Sequence, residues 1–316
     1  MGGNLAHGTV KGDSIACPFH DWRWGGNGKC TAIPYARRVP PLAKTRAWIT
    51  LEKNGQLFVW HDPQGNPPPA EVTIPDIEGF GSDEWSDWSW NTLTIEGSHC
   101  REIVDNVVDM AHFFYVHYSF PKYFKNIFEG HVASQYMESV GREDVISGTN
   151  YGDPNAVLRS DASYFGPSYM IDWIKSEANG QIIETVLINC HYPISNNAFV
   201  LQYGAMVKKL PGMDDEATAA MAAQFTEGVE MGFLQDVEIW KNKAPIDKPA
   251  ALGGGRPGLP VAALVQPVLH RCRERHGRHD EALRIRDRHY PRSGELEAEV
   301  AENVAARDAQ ALETTS

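Results

Sequence analysis

The fold follows from one stretch of this 316-residue chain, Asp105-Asn-Val-Val-Asp109-Met-Ala-His112-Phe-Phe-Tyr-Val-His117. The stretch predicts a helix, and at about 100° per residue Asp105, Asp109 and His112 fall within about 60° of one another among mostly apolar residues. Buried carboxylates need a positive partner, and His112 and His117 supply the imidazoles that a divalent metal prefers. The alternative is a core helix whose histidines are satisfied by ordinary hydrogen bonds.

A second helix is predicted over residues 214–243, where large apolar side chains recur every three or four positions. Asp236 lies on this apolar stripe and should therefore be buried. A buried carboxylate needs a partner. With His112 and His117, Asp236 would complete the two-histidine, one-carboxylate ligand set of non-haem Fe(II) oxygenases.

Composition limits the class of protein. The chain has 42% hydrophobic and 22% charged residues, which indicates a globular protein. Its net charge of −12 argues against nucleic acid or an anionic membrane as a partner, because both would repel it. No apolar run approaches the length of a transmembrane segment and no leader peptide is recognised, so we expect a cytoplasmic protein. Five cysteines, an odd number, fit reduced thiols or metal ligands better than disulfides.

Residues 1–62 are predicted to form β structure. Asn54-Gly55 between two apolar segments predicts a tight hairpin that is central to this domain, since both turn positions need positive φ. Cys17 and His20 stand three residues apart on one loop, as ligands of a shared iron centre would. On spacing alone, a buried cysteine near a surface histidine explains the pair equally well.

The rest of the chain divides by composition. A proline-rich linker over 63–80 is followed by a catalytic domain over 81–247, in which antiparallel strands surround the long helix and leave a cavity. We therefore predict an α+β fold. The segment 248–293 is rich in Gly, Pro, Arg and His, and a peripheral helix and tail are predicted over 294–316.

Three motifs give the chain a family resemblance: Cys17-Pro-Phe-His20, Asp109-Met-Ala-His112 with His117, and Phe233-Leu-Gln-Asp236-Val-Glu-Ile-Trp240. In this order they resemble the Rieske non-haem iron oxygenases, and in particular the branch that hydroxylates 3-ketosteroids. The resemblance runs over about residues 1–247. It implies a Rieske β domain, incomplete here, followed by a helix-grip catalytic domain.

The resemblance also implies roles for site residues. His112, His117 and Asp236 would hold a mononuclear Fe(II). Asp109 would be a catalytic residue that does not bind the iron. Its carboxylate would link His112 of one subunit to a cluster histidine of the next and carry electrons between the two metal centres.

Cys17 and His20 would be half of the ligands of a [2Fe–2S] Rieske cluster. The other half, a C-x-H pair, occurs nowhere in the sequence. We therefore expect Met1 to be an internal methionine of a longer protein, and we interpret residues 249–292, which have no counterpart in the family, as the product of a local reading-frame shift.

The expected reaction is hydroxylation of a 3-ketosteroid at C9 with O2, within steroid and cholesterol catabolism. The resemblance implies an NADH-dependent flavin and iron–sulfur reductase as electron donor, and a homotrimer. Two alternatives remain: a Rieske oxygenase acting on another sterol or an aromatic compound, and an inactive remnant that only binds sterols.

Overall fold

The computed structural model describes residues 3–141 and 156–244. The chain divides into two compact units between Pro69 and Ala70, at the end of the proline-rich stretch. The predicted segments 248–293 and 294–316 lie outside the described residues. In the described part of the chain, no helix is long and apolar enough to cross a membrane.

The first unit is built from short antiparallel strands. Four of them form one sheet in sequence order, namely β1 (Thr9–Lys11), β2 (Ser14–Ala16), β3 (Arg23–Gly25) and β4 (Cys30–Ala32). A separate hairpin consists of β5 (Thr50–Lys53) and β6 (Gln56–Val59). The predicted Asn54-Gly55 turn is confirmed, with φ of 53° and 74°. Its predicted central place is wrong, because β5 and β6 form a two-stranded sheet of their own.

The second unit contains a seven-stranded sheet and three helices. Its elements in chain order are β7 (Ser89–Glu96), α1 (Arg101–Val107), α2 (Met110–Tyr115), β8 (Ser119–Glu129), β9 (Val132–Gly141), β10 (Val157–Phe165), β11 (Tyr169–Ala178), β12 (Gln181–Ser195), β13 (Ala198–Val207) and α3 (Asp215–Trp240). The predicted α+β class is thereby confirmed.

All neighbouring strands of this sheet are antiparallel, in the order β7-β13-β12-β11-β10-β9-β8. The two edge strands, β7 and β8, are thus joined along the chain by α1 and α2. Helix α3 returns after β13 and packs against β13 and β7. Asp214 starts α3, because its carboxylate accepts a hydrogen bond from the Ala217 N–H at 2.8 Å.

One face of the sheet, which we call the inner face, packs against α1 and α3. Tyr164, Met170 and Tyr203 of this face share a core with Val104 and Trp240 of the helices. Directly paired residues of antiparallel strands lie on the same face. The pairing therefore identifies further inner-face residues.

The inner face is unusually polar for a buried surface. By the strand register it carries buried polar side chains at alternate positions of the central strands, namely Gln135, Ser160, Asp172, Thr185, Asn189 and His191. On the opposite face the buried residues at the same level are apolar, as Ile171 and Ile188 show. A buried face rich in hydrogen-bonding groups, several of which have no partner among the described residues, is typical of a surface that borders a binding cavity.

Candidate metal centre

The predicted single helix over residues 105–117 is wrong, because α1 ends at Val107 and α2 begins at Met110. Asp109 lies between them with extended backbone (φ −95°, ψ 102°), and its carboxylate accepts from the Ala111 N–H at 2.9 Å. Aspartate favours this capping position over a helix interior, since its short side chain can satisfy an otherwise unpaired N–H. The chain therefore breaks and restarts at Asp109.

This break overturns the predicted inward grouping of two acids and a histidine. Asp109 is exposed at the start of α2. Asp105 is half-buried and forms an ion pair with Arg101, one turn earlier, at 3.4 Å. Burial raises the pKa of Asp105 to about 6, although Arg101 opposes the shift. Neither carboxylate belongs to the group of metal-ligand candidates that the structure assembles.

His112 is presented by α2, half-buried. Its Nδ1 lies 2.5 Å from the main-chain carbonyl oxygen of Asp109. A carbonyl oxygen only accepts, so Nδ1 carries the proton and Nε2 keeps its lone pair. Burial, with the nearby His117, holds the pKa of His112 below its usual value, whereas Asp236 acts in the opposite direction.

His117 follows α2, just before a turn at Tyr118, whose φ of 54° is uncommon for a residue with a side chain. Its Nδ1 lies 3.1 Å from Oε1 of Gln235, and its Nε2 lies 3.3 Å from Oδ2 of Asp236. Burial acts to lower the pKa of His117, but the hydrogen bond and charge of Asp236 outweigh it, so the pKa is raised.

Asp236 projects from α3 and is 6% exposed, as its place on the apolar stripe predicts. The candidate ligand atoms of His112, His117 and Asp236 all lie within 4.8 Å of one another. Among the described residues, no other group of three histidine, cysteine or acidic side chains comes this close. We call these three residues the triad.

The triad fits a divalent metal. Both Nδ1 atoms face oxygen acceptors, which leaves two Nε2 lone pairs beside a buried carboxylate. Bonds of about 2.1 Å at right angles place neighbouring ligand atoms about 3 Å apart, close to the 3.3 Å between His117 and Asp236. Three protein ligands on one side would leave the other side of an octahedral metal open.

Two contacts that support the triad could not be predicted from the sequence. Gln235 holds His117, and the side-chain amide of Asn126 donates to the carbonyl of Val108, at the break between the helices, at 3.2 Å. Asn126 belongs to β8 and Gln235 to α3. Polar residues paired over such distances in the chain leave no periodic or local signal.

Cys17 and His20 occupy the loop between β2 and β3. Two main-chain hydrogen bonds of 2.9 Å close it, from Cys17 N–H to Trp22 and from Asp21 N–H to Cys17. Within the described residues no third ligand joins the pair, and the sequence has no C-x-H motif. A Rieske cluster needs two cysteines and two histidines, so the residues present do not fit a complete cluster.

Comparisons with known proteins agree with this fold. A solved dicamba monooxygenase bound to dicamba has the same fold, with a TM-score of 0.62 at 17% identity over 84% of this chain and 83% of that one. Fold and site thus define a helix-grip domain with a candidate mononuclear metal centre. The family model described as the 3-ketosteroid 9alpha-hydroxylase C-terminal domain matches residues 59–257, and the chain belongs to this family. A Rieske [2Fe-2S] domain model matches residues 1–43.

Curated relatives are similar over most of this chain. The oxygenase component of a 3-ketosteroid-9-alpha-monooxygenase from Rhodococcus rhodochrous is 79% identical over 249 residues, which are 79% of this chain and 64% of the relative. The component of the same name from Mycobacterium tuberculosis is 60% identical over 250 residues, again 79% of this chain and 64% of the relative. The chain thus spans less than two thirds of the length of these relatives.

Proposed function

We propose that the chain is the oxygenase component, or a large part of one, of a Rieske-type monooxygenase that hydroxylates 3-ketosteroids at C9. The observation that carries the proposal is the triad, in which a buried carboxylate lies 3.3 Å from the Nε2 of a histidine whose Nδ1 faces an amide oxygen. The names of the similar proteins supply the substrate class and the reaction.

In this proposal His112, His117 and Asp236 hold Fe(II), which when bound supplies the site of O2 activation. The carbonyl of Asp109 and the amide of Gln235 keep both imidazoles in the form that offers Nε2. Electrons would come through a Rieske cluster from an NADH-dependent flavin and iron–sulfur reductase. A head-to-tail homotrimer and a place in cytoplasmic cholesterol degradation stay predictions.

Two inner-face side chains support a ketosteroid as the substrate. The Tyr164 hydroxyl and Asn189 Oδ1 are buried near apolar residues such as Met170, and neither has a hydrogen-bond partner in the described part of the chain. Burial raises the pKa of Tyr164, so its hydroxyl keeps its proton and can donate to a keto oxygen. A rigid apolar ring system with oxygens at its ends matches such a surface.

The triad is tested by the variants H112A, H117A and D236A. Each should lose bound Fe(II), measured by metal analysis after anaerobic loading, while the β-sheet signal in circular dichroism stays at the wild-type level. Iron content that remained at the wild-type level in all three would eliminate the site. Fluorescence titration with androst-4-ene-3,17-dione tests the steroid site independently.

Asp109 is proposed to link the two metal centres. It is exposed and its main-chain carbonyl contacts His112, which supports a role for Asp109 between His112 and a neighbouring subunit. The D109N variant keeps a capping side chain, so α2 should remain intact. In a protein with a complete cluster, D109N should keep both metals and lose most single-turnover activity. Unchanged electron transfer would remove Asp109 from this role.

Steroid binding without turnover is the second candidate function, for a form of the protein that holds only the Cys17 and His20 half of the cluster ligands. With Cys17 and His20 alone, the 316-residue chain should give no Rieske signal in electron paramagnetic resonance and no NADH-coupled hydroxylation. Bound steroid without product would then identify a binding protein. A full-strength Rieske spectrum from this chain would contradict our assignment of the cluster ligands.

A further inference from the structure

The triad is brought together by two separate parts of the fold. His112 lies on α2 and His117 lies just after it, and α2 follows α1 in the chain. Asp236 lies on α3. Besides the contact between Gln235 and His117, a part-buried hydrogen bond joins these parts: the indole Nε1–H of Trp240 donates to Oδ1 of Asn106 at 3.2 Å. Trp240 stands one helical turn after Asp236, and Asn106 stands on α1, six residues before His112.

We propose that the Asn106–Trp240 hydrogen bond is a positioning contact, which fixes the place of Asp236 relative to the two histidines and thereby sets the affinity of the triad for its metal. The proposal rests on the proposed function, since it takes the triad to be a metal site. Neither residue touches the metal in this scheme, and both act through the helices that carry the ligands.

The hydrogen bond lies in the packed core between α1 and α3, where it can fix their relative rotation. Trp240 is 3% exposed and shares a core with Val237 of α3 and with Val104 and Val107 of α1. A buried indole N–H needs an acceptor, because burial removes the hydrogen bond that it would otherwise donate to water. Apolar contacts alone tolerate sliding, whereas this bond has direction and so selects one rotation of α3 against α1.

Small movements matter at this site. A side-chain tip about 5–6 Å from the axis of α3 moves by about 2 Å when the helix rotates by about 20°. That displacement would separate Asp236 from His117, which now lie 3.3 Å apart. It would also strain the contact between His117 and Gln235. Helix α2 has only six residues and follows the break at Asp109, so its position depends on α1.

The same interface offers a matched control. The ammonium group of Lys243, just after α3, pairs with the carboxylate of Glu102 on α1. The side chain of Lys243 is 43% exposed, and exposed ion pairs of this kind contribute little to stability. Replacing Lys243 by glutamine therefore removes a contact between the same helices without changing a buried bond.

The test is Co(II) titration of the full 316-residue chain, followed by the visible absorption of the bound ion. The variants are W240F, N106A, the double variant and K243Q, and melting temperatures are measured without metal. We expect W240F and N106A each to weaken Co(II) binding about tenfold and to alter its spectrum. The double variant should bind no more weakly than the weaker single variant, because both remove the same bond. K243Q should stay within about twofold of wild type.

The outcomes separate three cases. Lower melting temperatures with unchanged Co(II) affinity and spectrum would assign the bond to stability alone and overturn the proposal. Independent, additive losses in the double variant would overturn it too. If H117A bound Co(II) as well as wild type, the triad itself would be wrong, and the proposed function would fail first. If W240F does not fold, the Co(II) affinity of N106A tests the proposal, because Asn106 is only half-buried.

Discussion

Asp172 offers a direct test of the polar inner face. It lies on β11, the central strand of the seven, and is 8% exposed. Its carboxyl accepts a hydrogen bond from the Ser160 hydroxyl at 2.8 Å, but burial dominates and raises its pKa to about 7. The folded protein should therefore keep Asp172 protonated in mildly acidic solution.

The effect on stability follows from this pKa. Between pH 3.8 and about 7 the folded state holds a proton that the unfolded chain has released, so raising the pH destabilises the fold. At about 1.36 kcal/mol per pH unit, the free energy of unfolding should fall by about 2–3 kcal/mol between pH 5 and pH 8 through this one group. The loss is complete above the folded pKa, where both states are ionised.

The D172N variant isolates this contribution. Its amide is neutral at every pH and has nearly the same shape, so relative to wild type the variant should gain about 2–3 kcal/mol in free energy of unfolding between pH 5 and pH 8. Urea unfolding followed by tryptophan fluorescence measures the difference in the free energy of unfolding. The contributions of all other titrating groups cancel when the variant is compared with wild type. A difference that stayed the same at both pH values, within about 0.5 kcal/mol, would show that Asp172 is not buried as a neutral acid.

Three further predictions concern single contacts. A Cβ at Gly204 would lie 2.4 Å from the ring of Trp90, so G204A should destabilise the sheet by about 1–3 kcal/mol, and an unchanged melting temperature would contradict the packing. Its control is Gly228 within α3, where a Cβ meets nothing within 4 Å; G228A should stabilise the protein by about 0.5–1 kcal/mol. The Q235L variant should weaken Fe(II) binding about tenfold, because it removes the acceptor of His117 Nδ1–H. Equal iron affinity in Q235L and wild type would show that Gln235 does not position His117.

Features that depend on local pattern could be predicted from the sequence. The Asn54-Gly55 turn was predictable because few other residues accept positive φ at both positions. Helix α3 and the burial of Asp236 follow from apolar residues at helical spacing. The family motif then linked Asp236 to two histidines more than a hundred residues earlier.

The sequence carries opposing signals at Asp109. Two β-branched valines followed by an aspartate favour a helix end and a new cap, whereas the apolar periodicity of the same stretch favours a continuous helix. The contacts of Gln235 with His117 and of Trp240 with Asn106 join residues 118 and 134 positions apart. Such pairs depend on how the sheet closes, which no local pattern determines.

The long stretch of chain between the histidines and the aspartate of the triad also means that the ligands are synthesised at different times. His117 and Asp236 are separated by 119 positions, so at about 5–20 residues per second the carboxylate leaves the ribosome about 6–24 s after the histidine. Early in that interval β8 and β9 can already pair locally, whereas β13 is made later and the end of α3 that carries Asp236 is made last. The nascent chain thus carries two histidines on an unfinished sheet, where any metal they capture would lack its third ligand. Under the proposed function, the complete metal site can therefore form only after α3 has been made.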